Sequence, residues 1–176
     1  MSTQAAAPMI GAGTAPATGG SGTANVSQFI SFAIGDDQYG VDIMAVREIK
    51  GWSQITRLPR QPDYMRGVLN LRGVMVPIID LRCRFGQGMT EATPLHVVIV
   101  VQIGSSHVGL LADRVLDIVG CDASQVQPVP RIAQGSRVDF LSGLVTIETG
   151  MIALIDLSHI LSASVAEGAD IAAAAA

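Results

Sequence analysis

Residues 67–81 read Gly67-Val68-Leu69-Asn70-Leu71-Arg72-Gly73-Val74-Met75-Val76-Pro77-Ile78-Ile79-Asp80-Leu81. Two runs of mainly apolar residues, Val68–Arg72 and Val74–Ile79, flank Gly73, a residue type that supplies the positive φ of a tight turn. The stretch therefore predicts a β-hairpin. Pro77 points to an edge or bulge position, because proline cannot donate to a ladder. The same succession returns once. Gly67–Leu71 lies over Gly143-Leu144-Val145-Thr146-Ile147, and Ile78-Ile79-Asp80-Leu81 over Leu154-Ile155-Asp156-Leu157, both at an offset of 76.

Working towards the N-terminus, the self-match continues. Ile55–Pro59 lies over Val126–Pro130 at an offset of 71, and Ile34-Gly35, Gly40-Val41, Val46, Glu48 and Ile49 match Ile103-Gly104, Gly109-Leu110, Val115, Asp117 and Ile118 at 69. Generic β-patterning supplies single pairs, but not an ordered series whose offset grows by small insertions. The chain is read as a duplication of a unit of about 65 residues with four or five short strands. That is the size of a small closed barrel, in which closure removes exposed edges. The expected class is all-β: two barrels in tandem with short helical turns, over residues 28–84 and 95–161, joined by a connector at 85–94. A lone barrel of this size has a marginal core, so the two are expected to pack together with a docking groove between them.

Between Gln28 and Lys50 the alternation of Ile30, Phe32 and Ile34, then Tyr39–Ile43, reads as strands around a turn at Gly35–Gln38. Val46–Lys50 extends the pattern. A helical reading of 41–49 competes, since Val41, Ala45 and Glu48 share a face. Asp63–Arg66 is expected to form one helical turn closed by Gly67. Residues 1–27 are uncharged and rich in Ala, Gly, Thr and Ser, and 162–176 are Ala-rich. Both are read as flexible tails.

Composition excludes several classes. The net charge is -4, against the clustered positive charge that nucleic-acid binding requires. Segment 92–112 is apolar enough to consider as a membrane span, but Pro94, two histidines and a Gly-Ser-Ser run interrupt it, and Val97–Val101 reads as a buried strand. With no basic leader, the protein is read as soluble and cytoplasmic. Cys83 and Cys121 lack zinc-ligand spacing; one disulfide is arithmetically possible, and the reading taken over it is two buried or half-buried thiols. His96, His107 and His159 belong to no catalytic or metal motif, and phosphate-loop, dinucleotide and nucleophile-elbow motifs are absent from the sequence. Asp80 and Asp156, at equivalent places, are read as caps of the turns that follow rather than as an acid–base pair. No catalytic residue, cofactor or metal is expected.

One polar pair breaks the symmetry. Glu48 and Arg72 in the first unit are matched by Asp117 and Glu148 in the second. An attractive pair is thus replaced by a repulsive one. The plain alternative is two unrelated surface charges.

The run Tyr39–Ile49, then Ile55–Pro59, then Gly67–Leu81 with its Asn70-Leu71-Arg72-Gly73 core, resembles the CheW family of bacterial chemotaxis coupling proteins, over about residues 28–161. The resemblance implies two SH3-like five-stranded barrels. It implies a non-catalytic adaptor between the histidine kinase CheA, through its regulatory domain, and the cytoplasmic tips of methyl-accepting chemotaxis receptors, recruited to membrane-associated arrays without inserting into the membrane. Carried over by position, it implies receptor-binding roles for Glu48, Ile49, Arg72, Met75, Val97 and Val98, the four apolar ones lining a groove. It implies kinase-binding roles for Val46, Ile55, Thr56 and Gly67. Alternatives are the same adaptor in a non-flagellar chemosensory pathway, or a sensory barrel that encloses a small molecule.

Overall fold

The structure is a computed structural model that describes residues 26–130 and 138–161. The tails expected at 1–27 and 162–176 lie almost wholly outside the described residues. The described chain is all-β. In chain order the strands are β1 (Val26–Ile34), β2 (Asp37–Asp42), β3 (Val46–Gly51), β4 (Met65–Leu71), β5 (Val74–Asp80), β6 (Val97–Ile103), β7 (Ser106–Ala112), β8 (Arg114–Asp122), β9 (Val126–Gln127), β10 (Leu141–Ile147) and β11 (Gly150–Ile155). Helix α1 (Leu81–Arg84) follows β5. The helical reading of 41–49 gives way to β2, a turn at 43–45 and β3, and the helical turn expected at 63–66 is a turn at 63–64 that runs directly into β4. Met65 and Arg66 already belong to β4, where Met65 pairs with Ile79.

The strands form two sheets, ordered β3-β6-β7-β5-β4 and β8-β1-β2-β11-β10-β9. These are the two small barrels, the second with a two-residue sixth strand. Neither is made from one contiguous half, so the boundaries at 28–84 and 95–161 mark sequence repeats and not the two sheets. Hairpin β1–β2 leaves β3–β5 and joins the second repeat: β1 pairs antiparallel with β8, and β2 pairs parallel with β11. Hairpin β6–β7 makes the reciprocal move, β6 pairing with β3 and β7 parallel with β5. The exchange is invisible to a self-match, because each hairpin carries the pattern that fits either sheet. Pro77 is consequently not on an edge strand. β5 is flanked on both sides, but the β7 ladder begins at Ile78, just after the residue that lacks a donor.

Alternation along the strands divides the core in three. Leu69, Val76, Ile78, Val98, Val100 and Leu111 fill the first barrel. Cys121, Val145, Ile152 and Leu154 fill the second. The largest cluster lies between the sheets, drawing Phe32 and Tyr39 from one and Ile99 and Leu110 from the other. The space where a groove was expected is therefore packed with side chains, and any groove runs along its rim. The connector joins this packing. Phe85 stacks on Tyr39 with centroids 4.9 Å apart, and the Arg84 guanidinium lies 4.2 Å and 4.5 Å from the rings of Tyr64 and Phe140.

Asp80 and Asp156 both cap. Asp80 Oδ1 accepts from Cys83 N in the first turn of α1, and Asp156 Oδ1 accepts from Ser158 N ahead of the helical residues 157–161. A third carboxylate ties the two sheets. Asp113 Oδ2 accepts from Gly35 N, in the β1–β2 turn, and from Arg82 Nη2 on α1, while His96 Nε2 stands 3.5 Å from Oδ1. Burial alone would push the Asp113 carboxyl up. The Gly35 amide, the Arg82 guanidinium and His96 together outweigh it and hold the carboxyl below its ordinary value. A lowered folded value means that the stability Asp113 supplies is complete above its unfolded value of about 4, and is lost as pH falls through the folded value. Asp113→Asn is expected to lower stability at neutral pH and to flatten the acid limb of a pH–stability profile measured by urea denaturation. An unchanged acid limb would remove Asp113 from that account.

Candidate functional site

Edge strand β3 and the β4–β5 turn bring the asymmetric pair together. In that turn Arg72 and Gly73 both have positive φ, 52° and 89°, the geometry of a two-residue hairpin turn. Asn70 Oδ1 accepts from Gly73 N at 2.8 Å and fixes it. The left-handed backbone at Arg72 accompanies a side chain whose Nη2 lies 3.4 Å from Glu48 Oε2. The side chains are 85% and 33% exposed, so the pair contributes only about 0–1 kcal/mol to stability. Its structural effect is to link edge strand β3 to the β4–β5 turn across the mouth of the first barrel. The pair borders a depression of about 250 Å³ lined also by Arg47, Leu71, Val74 and His107.

Of the apolar candidates, Ile49 (43% exposed) and Met75 (62%) are on the surface. Val97 is half-buried against the inter-sheet cluster. Val98 is 1% exposed and points into the first barrel's core. Consecutive residues of a strand face opposite sides, so Val97 and Val98 do not line one groove. Val98 can influence a partner only through the barrel.

Three of the four remaining candidates meet at the barrel's seam. Thr56 and Val68 exchange backbone hydrogen bonds of 2.9 Å and 2.8 Å, pinning the loop after β3 to edge strand β4. Gly67 is buried beneath that bridge, and Ile55 packs into the first barrel's core. Val46 stands apart, at the start of β3 opposite Val101. Sequence reading placed Thr56 and Gly67 in one functional group but missed the seam that joins them. The repeated glycine, Gly67 and Gly143, was the available signal.

The described residues contain no cluster of three or more His, Cys, Asp or Glu side chains placed to hold a metal ion. Cys83 and Cys121 are free thiols, both pushed up by burial, which disfavours the thiolate that nucleophilic chemistry needs. No described helix is long and apolar enough to cross a membrane.

Residues 28–165 match the family model of the CheW-like domain. The chain is 43% identical to a probable chemotaxis protein CheW of Rhizobium etli over 142 residues, covering 81% of this chain and 92% of the relative. It is 41% identical to the chemotaxis protein CheW of Klebsiella aerogenes over 135 residues, covering 77% and 81%. Among solved structures, the scaffolding protein TtCheW of Thermoanaerobacter tengcongensis superimposes with a TM-score of 0.68 at 30% identity, covering 74% of this chain and 84% of that one. With the family model spanning the whole two-barrel region, the chain belongs to the CheW-like domain family.

Proposed function

We propose that the protein is a non-catalytic chemotaxis adaptor that couples methyl-accepting receptors to the regulatory domain of the histidine kinase CheA, working in the cytoplasm at membrane-associated arrays. The observation that carries the reading is the surface at the mouth of the first barrel. There the Glu48–Arg72 pair lies at the rim, while Ile49 and Met75 are exposed on the outer face of the same sheet. Exposed apolar side chains together with a charged rim on one sheet suit the helical tip of a receptor, since a helix laid against apolar side chains is a common recognition mode. The small-molecule reading is disfavoured because side chains fill the interior of both barrels. In this reading Val97 and Val98 support the receptor surface from beneath. Ile55, Thr56 and Gly67 mark the kinase-facing seam, and Val46, at the start of β3, stands apart from it.

The test is a pull-down of the full chain with a CheA regulatory domain and with a receptor cytoplasmic fragment. Failure of folded protein to bind either overturns the adaptor reading. Arg72→Glu is expected to weaken receptor-fragment binding while changing stability by less than about 1 kcal/mol. The double variant Glu48→Arg with Arg72→Glu is expected to recover part of that loss. No recovery would show that the two charges act separately.

A further inference from the structure

At one position of the repeat two carboxylates do different things. Glu48 on β3 reaches Arg72. Asp117 on β8, 69 residues later, has Glu148 where the first repeat has Arg72. Its Oδ1 instead accepts from the backbone N–H of the next residue, Ile118, at 2.7 Å. That donor belongs to the outer edge of the sheet. The N–H and C=O of Asp117 turn inward to Ser31 Oγ, at 3.1 Å and 2.9 Å, so those of Ile118 turn outward, as neighbours in a strand do.

Among the described residues β8 ends its sheet, and its nine residues make it the longest of the four edge strands; β3 has six, β4 seven and β9 two. Each barrel has a seam link after this edge strand, Thr56–Val68 in the first and the equivalent β9–β10 pairing in the second. What differs is that β3 carries Glu48, tied to Arg72, whereas β8 carries Asp117, with Glu148 at the matching place, and its edge presents exposed Ile118 and Leu116. A long apolar edge is a template for another strand. We propose that the outer edge of β8 is a latent pairing edge for a second copy of this chain, held shut by the Asp117 carboxylate. Charge favours that occupant. β8 begins with Arg114 and ends with Asp122, so two copies meeting antiparallel about a two-fold axis place unlike charges together at both ends, the self-complementarity an isologous contact requires. The bulge opposite Ser31 and Phe32 twists the edge and is a second safeguard of the same kind.

The experiment is sedimentation velocity of the full chain over a concentration series. Asp117→Ala is expected to self-associate roughly tenfold more tightly than wild type, as freeing one backbone donor on each copy would allow. Asp117→Asn, which keeps the Oδ1 acceptor, is expected to behave as wild type. Adding Arg114→Asp to Asp117→Ala is expected to abolish the gain. If Asp117→Ala and the second truncation Asp117→Ser sediment as wild type, no pairing edge is being guarded. If they associate but Arg114→Asp leaves the association intact, the contact is not β8 on β8.

Discussion

Asp80→Ala is expected to destabilise the protein by about 3–5 kcal/mol, the range for removing one partner of a buried ion pair, and so to take up much of a stability of about 5–15 kcal/mol. Asp80 is 0% exposed. Its Oδ2 accepts from Arg66 Nη1 at 3.1 Å and Thr90 N at 2.8 Å, and its Oδ1 from Thr90 Oγ1 at 2.7 Å and Cys83 N at 3.2 Å. Truncation leaves the Arg66 guanidinium, only 11% exposed, without its counter-ion. It also uncaps α1 and releases the connector at Thr90. Asp80→Asn keeps the shape and one acceptor oxygen but loses the charge, so an intermediate loss is expected. Urea denaturation checks both, and a loss below about 1 kcal/mol for Asp80→Ala, the size of one ordinary hydrogen bond, would show the network to be dispensable. Asp156, the matching residue, is 30% exposed on its side chain, so its removal is expected to cost a cap and little more.

The same pair shows what the sequence made legible. Capping by both aspartates follows from local rules, since a short acidic side chain before a turn finds the first free N–H groups whatever surrounds it. The hairpin around Gly73 and the strands from Gln28 to Lys50 were readable for the same local reason. Burial of Asp80 was not, because it depends on how Arg66 of the partner strand β4 and Thr90 of the following connector fold over it. Nor was the exchange of hairpins between the two sheets. After a duplication, β1–β2 and β6–β7 carry equivalent patterns, and which sheet each completes is decided by the paths of the connections. Ile49 and Met75 were found on the surface as the resemblance implies. Val98 was misjudged because adjacent valines were assigned to one groove against the alternation of their strand.

The second large effect is expected at Gly67. Its φ is 138°, and a Cβ there would stand 2.2 Å from Thr56 O and 2.8 Å from Thr56 C. Both are backbone atoms of the bridge that closes the barrel's seam, so no side chain can swing aside. Strain at a left-handed position and overpacking each cost about 1–3 kcal/mol, and Gly67→Ala is expected to lose about 2–6 kcal/mol in all. Gly143 is the internal control. Its Cβ would meet Val126 Cγ1 at 2.6 Å, the end of a side chain, and Gln127 O at 3.1 Å, and its φ lies outside the left-handed region. Gly143→Ala is therefore expected to cost less, and equal losses in urea denaturation would refute the seam argument. The comparison also bears on partner binding. Gly67 is buried, so within the adaptor reading its substitution acts by opening the seam, whereas Thr56 is exposed and can touch a partner. Thr56→Asp alters that surface while leaving the backbone bridge to Val68 available. If Thr56→Asp weakens binding to a CheA regulatory domain at unchanged stability, the seam itself is a contact. If only Gly67→Ala weakens it, in proportion to lost stability, the seam shapes a contact made elsewhere on the barrel.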